Sequence, residues 1–386
     1  MISWMHAESP IMFEERINGW LVGSYADIQE LRAESRLTNQ RAGIIEQLTP
    51  PELHDRVAPL AEWYAGWMMM LDGAGHRRIR RLTAHAFQPR QLEHLQSLID
   101  TVVAQLVGAA LDKGELEVTQ ELAFPLPRTV ICEMVGLPEQ DRHLFPEWFR
   151  NISLGLSIPL NTAELIDSVA GSHAAMTAYF TEKIQDRRRT PREGEVLTGL
   201  VNAMEEGDSL SEREVIDLLA VIITGAYDTT AHLITNGLHL LLQHPEQLAA
   251  VRADPSLVDD WIEETLRFQP SIPINMQSVG EAFEYKGHRF EAGQMVFFLA
   301  GAANRDPAHF PDPHRFDIRR DNSRDHVAFG FGPHFCLGAP LARIEARRAF
   351  HGLLERTESL TLPEQEIRYL PNTFIRGLES LRVTLG

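Results

Sequence analysis

Cys336 lies in the segment Phe329-Gly330-Phe331-Gly332-Pro333-His334-Phe335-Cys336-Leu337-Gly338, directly before an amphipathic stretch over 339–354. The thiolate form of cysteine binds metals and attacks electrophiles; the thiol does neither well. Glycines at 330, 332 and 338 permit backbone angles and close approaches that a side chain would block. A helix beginning just after the loop aims its free N–H groups and positive end at the sulfur, which favours thiolate. One reading is a flat, apolar cofactor lying against Phe329 and Phe335 while the sulfur holds its metal. The other is a structural cysteine in an apolar turn, since free cysteine is among the most buried residue types.

Three further groupings carry candidate chemistry. Thr224-Gly225-Ala226-Tyr227-Asp228-Thr229-Thr230 interrupts the most apolar helical stretch of the chain. Its Asp and Thr side chains compete for backbone hydrogen bonds, so the segment reads either as a kink or solvated patch, or as an acid–alcohol pair that passes protons. His76 and Arg80 are four apart on one helix face, where two cations suit a pair of carboxylates or a solvated basic face. Glu264 and Arg267, three apart, can pair on a helix. Gly73-Ala74-Gly75 falls short of a dinucleotide fingerprint.

The pattern Phe329-x-x-Gly332-x-His334-x-Cys336-x-Gly338 resembles the haem-binding signature of the cytochromes P-450, with every fixed position filled. That resemblance implies haem b (iron protoporphyrin IX) with Cys336 as the axial ligand, a ligation in which sulfur pushes electron density that favours O–O cleavage. It implies that His76, Arg80 and His334 hold the propionates, and that Phe329 and Gly338 contact the macrocycle. Glu264-Thr265-Leu266-Arg267 matches the family's ExxR motif, whose buried pair is joined by a loop arginine, here taken as Arg315. Thr224–Thr230 resembles the segment (A/G)-G-x-(D/E)-T, which makes Asp228 and Thr229 the proton-delivering residues, with O2 as co-substrate. By family position the substrate pocket draws on Trp63 to Met70, the stretch from Ile158 to Leu160, and Ile272 to Asn275. Met68, Thr224, Gly225, Ile274, Phe374 and Ile375 are its expected lining. Two positions depart from the pattern. Ala226 stands where relatives have glycine, and Gln277 aligns with a propionate-binding arginine.

The elements that must position these residues are mostly helical. Apolar residues recur at three- and four-residue spacing over 91–112, 164–186 and 211–243. Strand-like pieces are few: 20–23, 283–285, 295–298 and 380–385. A mainly α fold with a small β portion is expected, without the alternation of nucleotide-binding α/β folds. Although 386 residues exceed a prior of about 150 per domain, no linker or repeat divides the chain, so 1–386 reads as a single large helix-rich domain. The resemblance agrees, with a start that looks abbreviated by one helix.

Two cysteines exclude a disulfide framework and fit a reducing cytoplasm; Cys132 reads as helix core. A net charge of −18 argues against nucleic acid and anionic membrane as partners. No signal peptide is evident, and the longest uninterrupted apolar run, Leu218 to Ile223, is short of the roughly 20 residues that span a bilayer. A soluble, cytoplasmic monomer of the bacterial type is expected.

No flavin or nicotinamide fingerprint is present, so none is expected as a bound group and electrons come from outside. The resemblance implies a ferredoxin and a ferredoxin reductase. Arginines at 77, 78, 81, 343, 347 and 348 read either as a positive docking face for an acidic ferredoxin or as helix charge balancing. The pocket segments hold few charges, which suits a medium-to-large, mostly apolar small molecule. The chain further resembles bacterial members of the family that tailor polyketides, macrolides or fatty acyl chains, which implies a substrate of that kind. The function expected is haem-thiolate monooxygenation, by hydroxylation or epoxidation. The rivals are a non-hydroxylating relative (oxidative coupling or peroxide use) and a haem sensor or carrier without turnover.

Overall fold

The computed structural model describes residues 2–157, 159–204 and 210–386. The three periodic stretches form the helices Pro89–Leu111, Ala163–Arg189 and Glu212–Leu242. The last is the central helix. It starts at a capping box, in which Ser211 and Glu214 satisfy each other's backbone N–H groups, and it is buried along most of its length. Aromatic contacts seat it: Tyr227 lies 5.0 Å from Phe124 and 5.2 Å from Phe149 between ring centres, and His232 lies 5.4 Å from Phe124.

Three helices meet at one point of the core. Trp261, in the ExxR helix Val258–Phe268, stacks on Phe350 of the Cys-side helix Ala339–Arg356 at 3.7 Å. The Trp261 indole donates to the carbonyl of Gly237 in the central helix at 3.0 Å. A Cβ on Gly237 would sit 2.7 Å from the Phe350 ring, so only glycine permits this approach. The Cys loop, the ExxR pair and the Asp–Thr segment are thereby held on one rigid frame.

The β portion is small and sits to one side with its own apolar cluster, which includes Trp20, Val22, Val296 and Phe298. Its five-stranded sheet runs in the order Ile11–Glu14, Gly19–Val22, Met295–Phe298, Asn275–Val279 and Leu37–Thr38. Gly19–Val22 and Met295–Phe298 pair in parallel, and the other pairs are antiparallel. Arg382–Leu385 joins a separate three-stranded sheet. Phe298 packs edge-on against Phe331 of the Cys loop at 5.4 Å, which couples the sheet to the site.

Some expectations change. A helix, Ile2–Glu8, which the sequence reading did not include, precedes the first strand. Asn275–Val279 is a strand, which its mixed polar sequence concealed. Helices Gln91–Leu111 and Glu212–Leu242 are long and apolar enough to cross a membrane by length and composition, whereas the longest uninterrupted apolar run is short. Glu212–Leu242 buries most of its apolar window within the protein, as a core helix does. Cys132 is fully buried as expected.

Candidate active site

The Cys loop is shaped by two glycines. Gly330 and Gly332 have φ of 69° and 60°, in the left-handed region that favours glycine. Gly338 has φ −81° and needs no such freedom. It begins the Cys-side helix, and a Cβ there would meet the Cys336 sulfur and the Phe87 ring at an ordinary 4.0 Å. The Cys336 N–H donates to the Phe329 carbonyl at 2.9 Å. Its sulfur accepts from the backbone N–H groups of Gly338 and Ala339. Burial nevertheless pushes the thiol up, and those N–H groups together with the charges of Arg80 and Arg343 only partly oppose it. The helix terminus alone therefore does not make a thiolate, whereas a coordinating metal deprotonates a thiol outright.

Behind the loop lies the ExxR network. Arg267 forms a bidentate pair with Glu264, at 2.6 and 2.7 Å, and both side chains are fully buried. The arginine that joins them is Arg320, whose Nε lies 3.3 Å from Glu264 Oε1. Arg315, the expected partner, is 67% exposed and points to Asp317 at 3.8 Å. It contributes only its carbonyl, which accepts from Arg267 and Arg320 at 3.1 Å each. The turn between the two residues faces its backbone, not the first side chain, toward the pair. Asn304, fully buried, completes the link. Its carbonyl accepts from Arg267 at 2.8 Å and its side-chain oxygen accepts from Val327 N–H at 2.8 Å, just before the Cys loop.

The helix Gly73–Ala84 brings His76 and Arg80 to the same loop. His76 stacks on His334 at 3.9 Å, and Arg80 Nη2 donates to the Phe335 carbonyl at 2.7 Å. Burial lowers the affinity of both imidazoles for a proton, with His334 brought down to about 4. His76 Nε2 is buried without a partner. Asp72 accepts from Thr38 Oγ1, Asn39 N–H and Asn39 Nδ2 at 2.5, 2.7 and 2.9 Å and lies 3.7 Å from His334.

On the central helix, the Thr229 hydroxyl donates to the Gly225 carbonyl at 2.6 Å, which leaves its lone pairs available. Ser271 fixes the Thr229 carbonyl at 2.8 Å. Burial pushes the Asp228 carboxyl up to about 6, against a hydrogen bond from Ser153 on the helix Phe145–Ser157. The helix runs through the segment without a break, and Thr224, Tyr227 and Thr230 are buried in it. A Cβ on Gly225 would meet nothing within 4 Å, so the groove beside it stays open despite Ala226.

One cavity of about 830 Å³ connects these pieces. Cys336, Phe329, Gly338, His76, Arg80, His334, Asp228 and Thr229 all line it, as do all six expected pocket residues, from Met68 to Ile375. Trp63 does not; its indole donates to Asp217 at 2.8 Å. Ile158 lies outside the described residues, and Leu160 is core. The walls fit a flat apolar group with polar atoms at one end. A sulfur sits beside Phe87, Leu337 and Leu341, while His76 Nε2, Asn275 Nδ2 and Gln277 Oε1 are buried polar atoms without protein partners. Haem, with its apolar macrocycle and two carboxylates, has those properties.

The expected positive face is largely neutralised. Arg343 pairs with Glu263 at 2.6 Å, Arg348 lies 3.4 Å from Asp100, Arg347 pairs with Asp259 and Arg78 with Glu214. Charge balancing accounts for these four. Arg343 also lies over the Phe329 ring at 4.6 Å. Asn304, Arg320 and Ser153 carried no local signal, since each meets site residues distant in sequence.

Residues 58–383 match the family described as Cytochrome P450. Polyketide biosynthesis cytochrome P450 PksS of Bacillus subtilis is 33% identical over 95% of this chain and 89% of its own length. Cytochrome P450 monooxygenase PikC of Streptomyces venezuelae is 36% identical over 94% and 84%. Among solved structures, P450BioI, in complex with an acyl carrier protein ligated to hexadec-9Z-enoic acid, superposes with a TM-score of 0.92 at 32% identity. That match covers 100% of this chain and 97% of that one.

Proposed function

We propose, from the premise that this chain belongs to the cytochrome P450 family and is one of its monooxygenases, that it hydroxylates or epoxidises a medium-to-large, mostly apolar small molecule. The observation that carries this reading is the single cavity that joins Cys336, the His76–Arg80–His334 cluster and the Asp228–Thr229 pair. Haem b held there, with Cys336 as its thiolate ligand, would supply O2 activation by two externally delivered electrons.

The protein's own residues do the rest. His76, Arg80 and His334 bind the cofactor's carboxylates, and Glu264, Arg267 and Arg320 brace the loop that presents the sulfur. Asp228, neutral below about pH 6, holds a proton at the cavity wall. The Thr229 hydroxyl, whose hydrogen rests on the Gly225 carbonyl, has lone pairs open to accept a hydrogen bond in the cavity, and it hands a proton on by releasing that hydrogen as it takes up another. Met68, Ile274, Phe374 and Ile375 exclude water and orient an apolar substrate. A relative named for polyketide biosynthesis, and a solved neighbour in complex with an acyl carrier protein ligated to hexadec-9Z-enoic acid, support a polyketide, macrolide or fatty-acyl substrate. A cytoplasmic ferredoxin and its reductase, redox partners of the kind bacterial P450s generally use, deliver the electrons. The family match over 58–383 supports a single domain over 1–386.

The test is direct. Purified, haem-loaded protein should show the red-displaced Soret band of its reduced carbon-monoxide adduct and couple NADH use, through a ferredoxin pair, to an oxygenated product. A colourless protein, or one without that band, overturns the haem-thiolate reading. Haem without turnover on any candidate substrate favours a sensor or carrier.

A further inference from the structure

We infer that Arg41 supplies the cation that holds one haem carboxylate at the end of the cavity where Gln277 brings no charge. This rests on the haem reading above. Arg41 lies in the connection after strand Leu37–Thr38, outside any helix or strand. It lines the cavity and is 8% exposed. Its Nη1 donates to the carbonyls of Asn39 and Met69 at 3.2 and 3.0 Å, which fixes the guanidinium in place. Its Nε is buried with no partner.

A buried guanidinium with an unmatched donor is costly unless an anion reaches it. Burial pushes Arg41 down to about 10, which leaves it charged at neutral pH. Asp72 is the acid whose field reaches it. That carboxylate already accepts from Thr38 and Asn39 and lies beside His334, and no carboxylate among the described residues lies within ion-pair distance of Arg41. The field of Arg41 also reaches His334, which places it at the same end as His76 and Arg80.

Haem brings two carboxylates to that end. Arg80 already directs one N–H at the Phe335 carbonyl. Gln277 shares the cavity wall, and its buried Oε1 is an acceptor that cannot neutralise an anion. A planar guanidinium fork with an open edge matches a carboxylate in shape and charge. Arg41 thus does from the opposite segment what an arginine at 277 would do from its strand.

The experiment follows haem transfer from the purified holoprotein to excess apomyoglobin. Arg41→Gln should transfer haem about tenfold faster than wild type or more, as expected when one partner of a buried ion pair is removed. Adding Gln277→Arg to that variant should return the rate toward wild type, because it restores a cation at the same end. Unchanged transfer in Arg41→Gln overturns the assignment. So does a faster rate that Gln277→Arg does not correct, since Arg41 would then serve only to tie Asn39 to Met69. Should Arg41→Gln not yield soluble protein, Arg41→Lys keeps the charge and loses the fork; it should transfer haem faster than wild type, and an unchanged rate again overturns the assignment. A wild-type protein lacking the carbon-monoxide band defeats the haem reading itself, so the two failures are told apart.

Discussion

Arg320 Nε lies 3.3 Å from Glu264 Oε1, a carboxylate with no solvent exposure that already pairs with Arg267. Arg320 also donates to the carbonyls of Pro311, Asp312 and Arg315. One side chain therefore closes the buried charge and pins the loop over 311–320. Truncating it strands part of a buried carboxylate. Arg320→Ala should cost about 3 kcal/mol, whereas Arg315→Ala, at an exposed side chain, should stay within about 0.5 kcal/mol. Urea midpoints and haem content of the two variants check this, and equal losses would return the bracing role to Arg315.

Proton delivery should follow the ionisation of Asp228. Burial raises this carboxyl to about 6 and Ser153 opposes the shift by hydrogen bonding to the ionised form. Product formed per NADH should therefore fall as pH rises through about 6, as the protonated acid is lost. Ser153→Ala removes the stabiliser of the charged form and should move that midpoint upward. Asp228→Asn should abolish the dependence. A midpoint that Ser153→Ala leaves in place separates the hydrogen bond from the relay.

Thr229→Ala removes a hydroxyl that lines the cavity, as Asp228 also does, while sparing the helix, whose backbone is unbroken at this point. NADH consumption should continue while product yield drops by about a hundredfold, the lower end of a positioned proton donor's contribution. Thr229→Ser should restore coupling. Equal coupling in the alanine variant removes Thr229 from the proton path.

Glu345, on the Cys-side helix, is 1% exposed and its Oε2 has no partner. Burial raises its carboxyl well above the ordinary value of 4.5. Above that value the unfolded chain releases a proton that the native state keeps, so this group makes the fold less stable as pH rises. Glu345→Gln should match wild type near pH 4 and gain up to about 1.4 kcal/mol per pH unit above it. Melting curves between pH 5 and 8 measure the difference, and parallel pH profiles for the two proteins would count against it.

The site was legible wherever its residues are neighbours in sequence. The Cys336 loop, the four-residue step from His76 to Arg80 and the Glu264–Arg267 spacing are local, and helix periodicity alone puts such pairs on one face. The long helices were legible for the same reason. The strand Asn275–Val279 was not, since its polar and apolar residues follow no clear alternation and its partners lie elsewhere in the chain. The helix Ile2–Glu8 was missed because seven residues carry too little periodicity to register.

Residue identity settled the chemistry on offer: one thiol in a glycine-bent loop, one acid–alcohol pair in an apolar helix, and cations suited to carboxylates. Which of two loop arginines reaches Glu264, that Ser153 meets Asp228, and that Arg41 turns into the cavity while four surface arginines pair with acids were settled by the fold. Helical neighbours are set by backbone geometry, whereas a loop side chain goes where packing and buried charge direct it, and no spacing in the chain encodes that direction.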